Sequence, residues 1–299
     1  MSPCRRSCST APRSAAIFRA QKLGPATFLI DRAAEELGER LGAVLRKFER
    51  AVDLASPTDA VRQVLRESGL VSSIVALDEI ADRATGDALR IVGDAEALPF
   101  RENSLDLVVS ALALQLVNDL PGTFIQVCRA LKPDGLFLAA LLGGDTLVEL
   151  RQAFAAAETE VEHGVSPRVA PFSDVRAVGM LLQRAGFALP VVDVEKLTVR
   201  YDSPFALLRD LRRMGAANAL TEHRRAPLRR ATLMRMTQIY VERFADADGR
   251  VRATFEIVWL SGWKPHSSQQ QPLRPGSANA RLADALGTRE IPAGDKAGG

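Results

Sequence analysis

The sequence predicts an α/β fold in which a mostly parallel sheet lies between two layers of helices. Short apolar runs without polar alternation, typical of strands buried on both faces, alternate with amphipathic helical segments. A late run near the C-terminus does alternate and is typical of an antiparallel strand. Hydrophobic residues make up 47% of the chain and charged residues 25%, as in ordinary globular domains.

The elements follow from hydrophobic period and turn signals. The predicted strands are 50–55, 73–77, 88–92, 105–110 and 136–142, then strands across 190–199 and a last antiparallel strand at 252–260. The predicted helices are 34–48, 60–67, 121–131, 146–160, 173–185, 204–214 and 227–244. The turn at 56–59 ends the first strand and starts a helix, and the turn at 132–135 precedes the fifth strand.

Composition divides the chain into three parts. Residues 1–30 carry five basic residues, several serines and no acidic residue, which is the composition of an organellar transit peptide or of a disordered start. Residues 31–265 form the predicted domain, with a helical insertion at about 203–247. Residues 266–299 are rich in Pro, Gln, Ser and Gly and are predicted to be a loosely packed tail.

Several classes of protein are excluded or disfavoured. No apolar run reaches the ~18 residues that cross a bilayer. The net charge of +3 argues against a nucleic-acid partner. Cys4, Cys8 and Cys128 have no metal-like spacing, and three scattered histidines give no iron site, so no metal is expected. An arginine-rich segment at 209–230 is either a solvated helix face or a docking patch.

Polar residues at the strand ends predict a nucleoside-cofactor site, because ligands of open α/β sheets bind beyond the carboxyl ends of the strands. Asp78 is placed to accept hydrogen bonds from ribose hydroxyls, and Asp94 from an adenine amino group, with Ala95 as a backbone donor. Each aspartate could instead form a turn or cap a helix. The complete candidate set is Asp53, Ala55, Ser56, Asp78, Asp94, Ala95 and Ser110.

A glycine turn after the fifth strand is the candidate substrate cleft. Its residues are Gly143, Gly144, Asp145 and Thr146. The backbone N–H groups of this turn would face the cleft as the next helix begins. Alternatively, Asp145 or Thr146 only caps that helix, and the two roles are compatible. No catalytic residue is identified.

Three runs resemble the type 11 methyltransferase domain, namely GDAEALPF at 93–100, NSLDLVVS at 103–110 and LKPDG at 131–135. This resemblance implies a Rossmann-like class I methyltransferase sandwich and S-adenosylmethionine as cofactor. Further runs resemble the complex I assembly factor 5 family, whose members are described as arginine hydroxylases acting on a complex I subunit. They include GGDTL at 143–147, ELR at 149–151, SP at 166–167, PF at 171–172, RAGF at 184–187 and GWK at 262–264. The resemblance covers roughly residues 30–287.

The sequence departs from this family at two places. The family's Asp-Leu-Gly-Cys-Gly loop is DLASP at 53–57, and its His-Trp after the fourth strand is Gln115-Leu116. Ala55 and Pro57 add bulk where a backbone must approach the cofactor, and Pro57 removes a donor. Weak binding of S-adenosylmethionine is therefore expected.

The function stays open between alternatives at this stage. The resemblance implies an enzyme that modifies a protein substrate, a subunit of respiratory complex I. A catalytically inactive, chaperone-like assembly factor and a small-molecule or acyl-carrier-protein carboxyl methyltransferase are the alternatives. A dinucleotide oxidoreductase is disfavoured because no G-x-G-x-x-G follows a strand. The expected location is the mitochondrial matrix in a eukaryote, or the cytoplasm in a bacterium, with peripheral contact to the inner membrane.

Overall fold

The structure, a computed structural model, describes residue 20 and residues 22–78, 89–216, 227–270, 284 and 286–288. Some residues of the sequence analysis lie outside this part of the chain. They are Cys4 and Cys8, Ala88 of the predicted third strand, His223, which is one of the three histidines, and Arg224 and Arg225 of the arginine-rich segment.

Seven strands and seven α-helices are found in the described residues. The strands are β1 Phe48–Leu54, β2 Val71–Asp78, β3 Leu89–Val92, β4 Leu105–Ala111, β5 Leu131–Leu142, β6 Ala188–Tyr201 and β7 Val251–Trp263. The helices are α1 Phe28–Gly42, α2 Ala60–Glu67, α3 Leu120–Ala130, α4 Val148–Glu162, α5 Val175–Arg184, α6 Pro204–Arg213 and α7 Arg230–Phe244. A short 3₁₀ turn at Leu114–Leu116 follows β4.

All seven strands form one sheet in the order β3-β2-β1-β4-β5-β7-β6. The pairs among β1 to β5 are parallel, whereas β7 is antiparallel to both of its neighbours. The chain reverses its direction across the sheet between β1 and β4, so the carboxyl ends of these strands border the crevice where such sheets bind ligands. The predicted mostly parallel sheet with an antiparallel last strand is confirmed.

Helices cover both faces of the sheet. On β5, Leu136, Leu138 and Ala140 pack in a cluster with α1, α2, α4, α6 and α7. The intervening residues Phe137 and Ala139 face a second cluster with α3 and α5. This alternation is the period of two expected for a strand, and it confirms the three-layer sandwich.

The start of the domain differs from the prediction. The first helix begins at Phe28 and not at residue 34, and Leu29 and Ile30 are buried in the core. These residues were assigned to the tail at 1–30 but belong to the packed domain. Phe48, predicted to end this helix, instead begins β1, where its side chain is 1% exposed and it pairs with Val71.

The last strand is longer and more buried than its alternation suggested. It runs over Val251–Trp263 and lies inside the sheet between β5 and β6. Because it has neighbours on both edges and helices on both faces, nine of its thirteen residues are buried. The long strand β6 forms the edge and alternates instead.

Contacts divide the chain into two units, Met1–Pro265 and His266–Gly299. In the second unit the described residues include a turn in which Gln269 N donates to His266 O at 3.2 Å. Among the described residues, no helix has the length and apolarity that a bilayer crossing requires.

Candidate functional site

A cavity of about 810 Å³ opens beyond the carboxyl ends of β1, β4 and β5. Ala55, Leu112 and Leu142 line it where these three strands end. Its walls are mostly apolar and come from the start of α1, from α4, from the end of α6 and from the segment around Val169. A cavity of this size and apolarity is typical of a small-molecule site.

The loop that lacks the family's glycines keeps a glycine-like backbone. Ala55 has φ of 58°, in the left-handed region, and its N–H donates to Leu77 O at 2.8 Å. A left-handed residue with a side chain costs about 1–2 kcal/mol. The loop therefore adopts a strained conformation at the cavity wall although its sequence has changed.

Two more left-handed residues without glycine's freedom line the same cavity. Leu112, which follows β4, has φ of 50°, and Leu147, which precedes α4, has φ of 55°. Backbone strain of this kind clusters at functional sites. Four other non-glycine residues with positive φ, Asn103, Asp134, His163 and Leu189, lie away from the cavity. The candidate site is therefore assigned on the cavity together with the three strained residues that line it.

Asp53 lies behind the loop and does not line the cavity. Its carboxylate is fully buried and pairs with the Arg62 guanidinium, with Arg62 Nη1 2.5 Å from Asp53 Oδ2. Burial raises the pKa of Asp53 to about 6, although the charge of Arg62 opposes this. Its partner Arg62 is the residue that reaches the cavity, and a contact of Asp53 with the cofactor stays a prediction.

Asp78 ends β2, as predicted, and is 3% exposed. Arg90 on β3 donates from Nη1 to Asp78 Oδ2 at 3.1 Å and from Nη2 to Asp59 Oδ1 at 3.2 Å. Asp59 also pairs with Arg62. Asp78 does not line the cavity either, so its contact with ribose hydroxyls stays a prediction.

Ser56 and Ser110 hold the ends of β1 and β4 together. Ser110 Oγ donates to Leu54 O at 2.7 Å, and Ser56 Oγ accepts from Ala111 N at 3.0 Å. Both side chains are completely buried and neither lines the cavity. Both hydroxyls are thus used between the strands, and a role of Ser56 and Ser110 in cofactor binding stays a prediction.

Asp94 forms a turn and Ala95 is part of the core. Asp94 Oδ1 accepts from Glu96 N at 2.8 Å, which is the turn-forming role weighed as the alternative. Ala95 is 1% exposed, and its carbonyl accepts from Thr123 Oγ1 at 3.2 Å. Neither residue lines the cavity.

The glycine turn after β5 mainly joins β5 to β7. Gly143 N donates to Glu256 O at 2.8 Å, and a Cβ at Gly143 would overlap the Glu256 carboxylate. Asp145 pairs with Lys196 at 2.6 Å, and this ammonium lowers the pKa of Asp145. Of the four predicted cleft residues, Thr146 lines the cavity and Gly143, Gly144 and Asp145 do not, so their contact with a substrate stays a prediction.

The alternative role of this turn as a helix cap is also wrong. The N-cap of α4 is Leu147, and no side chain caps the helix there. Thr146 Oγ1 donates to Glu256 O at 3.1 Å, and Arg151 donates to Gly144 O and Thr146 O. These bonds fix the turn against β7.

The cavity has more positive than negative side chains. Among the described residues its ionisable lining consists of Asp59, Arg62, Arg168, Arg212 and Arg213. Arg168 donates from Nε to Glu158 Oε1 at 2.6 Å, while its buried Nη2 has no hydrogen-bond partner in the described part of the chain.

Sequence reasoning missed this arginine lining. One signal was present, because Arg62 lies three residues before Leu65 and so shares the apolar side of α2. No comparable signal marks Arg168, whose position depends on how the segment after α4 folds back onto Glu158.

Gln115, which follows β4 and departs from the family's histidine, also lines the cavity. Its Nε2 donates to Leu112 O at 2.8 Å, and its buried Oε1 has no hydrogen-bond partner in the described part of the chain. Within the described residues, no three His, Cys, Asp or Glu side chains are grouped so that they could hold a metal ion.

Comparisons with known proteins agree with this geometry. A sequence profile described as a methyltransferase domain matches residues 52–139, which run from the end of β1 through most of β5. The Danio rerio protein named "Arginine-hydroxylase NDUFAF5, mitochondrial" is 37% identical to this chain, over 86% of this chain and 81% of that protein. The Homo sapiens protein of that name is 38% identical, over 92% of this chain and 85% of its own length.

The chain belongs to the NDUFAF5 family.

A second group of relatives is similar to this chain over much of its length. The malonyl-[acyl-carrier protein] O-methyltransferase of Xylella fastidiosa is 33% identical over 77% of each protein. Among solved structures, the YcgJ protein of Bacillus subtilis superposes with a TM-score of 0.54 over 78% of this chain and 99% of that chain. Its sequence identity of 15% shows the fold alone.

The residues present fit the S-adenosylmethionine that this methyltransferase fold binds. The loop at Ala55 is left-handed as a glycine loop would be, the cavity lies directly beside it, and the Asp78 carboxylate ends the neighbouring strand. When bound, this cofactor supplies an electrophilic methyl group on a sulfonium. The residues of the chain hold and orient it.

Proposed function

We propose that this chain is an S-adenosylmethionine-dependent enzyme that modifies a protein, and that its substrate is a subunit of respiratory complex I. The observation that carries this proposal is the cavity walled by the strained residues Ala55, Leu112 and Leu147. An inert scaffold has no need of strain at the carboxyl ends of three strands. The similarity to proteins named arginine hydroxylases supports protein arginine as the target.

In this proposal Asp78 binds the ribose hydroxyls and the Ala55 loop passes the methionine end of the cofactor. Cofactor affinity is weak, because Ala55 carries a Cβ and Pro57 has no N–H. The apolar walls exclude water from the cleft, which strengthens the remaining polar contacts there.

Calorimetric titration of the purified protein with S-adenosylmethionine tests this function. Asp78→Ala should weaken binding by about 1.5–3 kcal/mol, the value of hydrogen bonds to a charged group. If the parent protein binds no cofactor at millimolar concentration, the enzyme proposal is wrong and the chaperone-like assembly factor becomes the better account. Unchanged affinity in Asp78→Ala would remove only Asp78 from the site.

The arginines of the cavity favour a second function, carboxyl methylation of an acyl-carrier-protein substrate. Arg62, Arg168 and Arg213 line the cavity while paired with Asp53, Glu158 and Asp210. The buried Nη2 of Arg168 has no hydrogen-bond partner in the described part of the chain and could receive a substrate carboxylate. A positively charged lining attracts a carboxylate and repels a substrate guanidinium. Incubation with malonyl-acyl carrier protein and labelled cofactor separates the two, since label in the acyl group supports this function and label-free acyl carrier protein contradicts it.

The proposed complex I target requires contact with a membrane-bound assembly, in the mitochondrial matrix or at the bacterial inner membrane. Arg209 lies four residues after the exposed Phe205, so these two exposed side chains share one outward face of α6. We propose that this face docks on an acidic partner. Association should weaken between about 50 and 300 mM salt, because screening shortens over this range. Association that is unaffected by salt and by Arg209→Glu would contradict docking through this face.

A further inference from the structure

The loop after β1 has lost its glycines, and an unusual chain of charged groups lies directly behind it. Five side chains alternate in sign along this chain. They are Asp53, Arg62, Asp59, Arg90 and Asp78. We refer to these five residues as the ionic chain. It joins the ends of β1 and β2, which are the two strands that carry the predicted cofactor carboxylates.

The ionic chain is largely buried. The side chains of Arg62 and Asp78 are 2% and 4% exposed, and Arg90 is 17% exposed. Removing one member of a buried ion pair leaves an uncompensated charge, so each contact in the chain depends on the next. The end carboxylates Asp53 and Asp78 are therefore positioned by their arginines.

Asp59 is the central member and touches both arginines. Its Oδ1 accepts from Arg90 Nη2 at 3.2 Å and pairs with Arg62. Asp59 also lines the cavity, about a third of its side chain being exposed. Because one carboxylate holds both guanidiniums, a change at Asp59 reaches both ends of the chain.

The ordinary explanation for an aspartate at this position is a helix cap. Asp59 is the N-cap residue of α2, but its side chain makes no capping hydrogen bond. The nearby Thr58 Oγ1 accepts from Ala60 N at 3.3 Å instead. By contrast, Asp174, the N-cap of α5, does accept from Ala177 N at 2.9 Å. The carboxylate of Asp59 is thus committed to the arginines and not to the helix.

We propose that Asp59 is a positioning residue for the cofactor: by holding Arg62 and Arg90 it fixes Asp53 behind the loop and Asp78 at the ribose end. The ionic chain takes over part of the ordering that the glycine loop provides in relatives that keep it. This inference rests on the proposed function, because it concerns binding of S-adenosylmethionine to the same site.

The test measures S-adenosylmethionine affinity by calorimetry and stability by urea unfolding for Asp59→Asn, which removes the charge at constant shape. We expect at least a tenfold loss of affinity, equal to about 1.4 kcal/mol. Asp174→Asn is the matched control, being the same substitution at a helix N-cap outside the cavity, and it should leave affinity within twofold of the parent. Loss of stability in Asp59→Asn with unchanged affinity would overturn the proposal, because it would show a purely structural role.

Arg90→Gln provides the second test and serves by itself if Asp59→Asn does not fold. It should cause a loss of affinity similar to that of Asp59→Asn. Since the two residues share one contact of the ionic chain, the double variant should lose less affinity than the sum of the two single losses. Additive losses would contradict action through the ionic chain. Failure of the parent protein to bind would overturn the proposed function and this inference with it, whereas binding by the parent with unaffected variants overturns this inference alone.

Discussion

Substitution of Ala55 by glycine should cost almost no stability, although glycine normally destabilises folded proteins. Ala55 has φ of 58° and is 6% exposed. Glycine adds about 0.5–1 kcal/mol of unfolded-state entropy, and loss of a buried methyl group costs about 0.8 kcal/mol. Relief of the left-handed strain returns about 1–2 kcal/mol. The three contributions nearly cancel, so Ala55→Gly should lie within about 0.5 kcal/mol of the parent protein.

Ala51→Gly is the matched control for this prediction. Ala51 lies in β1, four residues before Ala55; it is completely buried and is not among the residues with positive φ. Ala51→Gly adds the same unfolded-state entropy and loses the same buried methyl group, but it relieves no backbone strain. Its free energy of unfolding should therefore fall by about 1.5 kcal/mol. Urea unfolding of both variants checks this difference. Equal destabilisation at the two positions would show that the backbone at Ala55 is not strained.

The cofactor affinity of Ala55→Gly gives a second readout of the same loop. Removal of the Cβ clears the cavity wall, so S-adenosylmethionine should bind more tightly, and the double change with Pro57→Gly should tighten it further by restoring an N–H. Two added glycines by themselves cost about 1 kcal/mol of stability from unfolded-state entropy. Relief of the left-handed strain offsets this cost at Ala55, so the loss of stability in the double variant should come from Pro57→Gly.

Two further predictions concern stability. Burial raises the pKa of Asp53 to about 6, whereas the pKa of an aspartate in the unfolded chain is about 3.9. Protonation of Asp53 therefore stabilises the folded protein fully below about pH 4, and this stabilisation is lost as the pH rises through about 6. Urea unfolding across this window should show a fall of about 3 kcal/mol in the parent that Asp53→Asn removes, and an identical pH dependence in the two proteins would contradict the assignment. Truncation of residues 1–19 should leave the melting temperature unchanged, whereas truncation through Ile30 should lower it strongly, because Leu29 and Ile30 each contribute about 1.5–3 kcal/mol by burial. A large drop from the shorter truncation would show that the tail is packed.

The sequence alone determined the layered α/β fold, because the signals for it are local. Apolar runs such as 105–110, helical periods and turn residues are each contained within a few positions, and their alternation leaves one plausible arrangement. It also located the ends of β1 and β2 at the site. Asp78 occupies the position expected from strand length and spacing alone.

Only the tertiary structure decided what the strand-end residues do. Arg90 follows Asp59 by 31 positions, and Glu256 follows Gly143 by 113, yet each pair is in contact. No local period encodes such pairings, since they arise when β3 and β7 take their places in the sheet. The same residue type therefore ends as a turn former at Asp94, as a buried ion-pair partner at Asp53 and as the centre of the ionic chain at Asp59, because side-chain partners depend on which strands become neighbours.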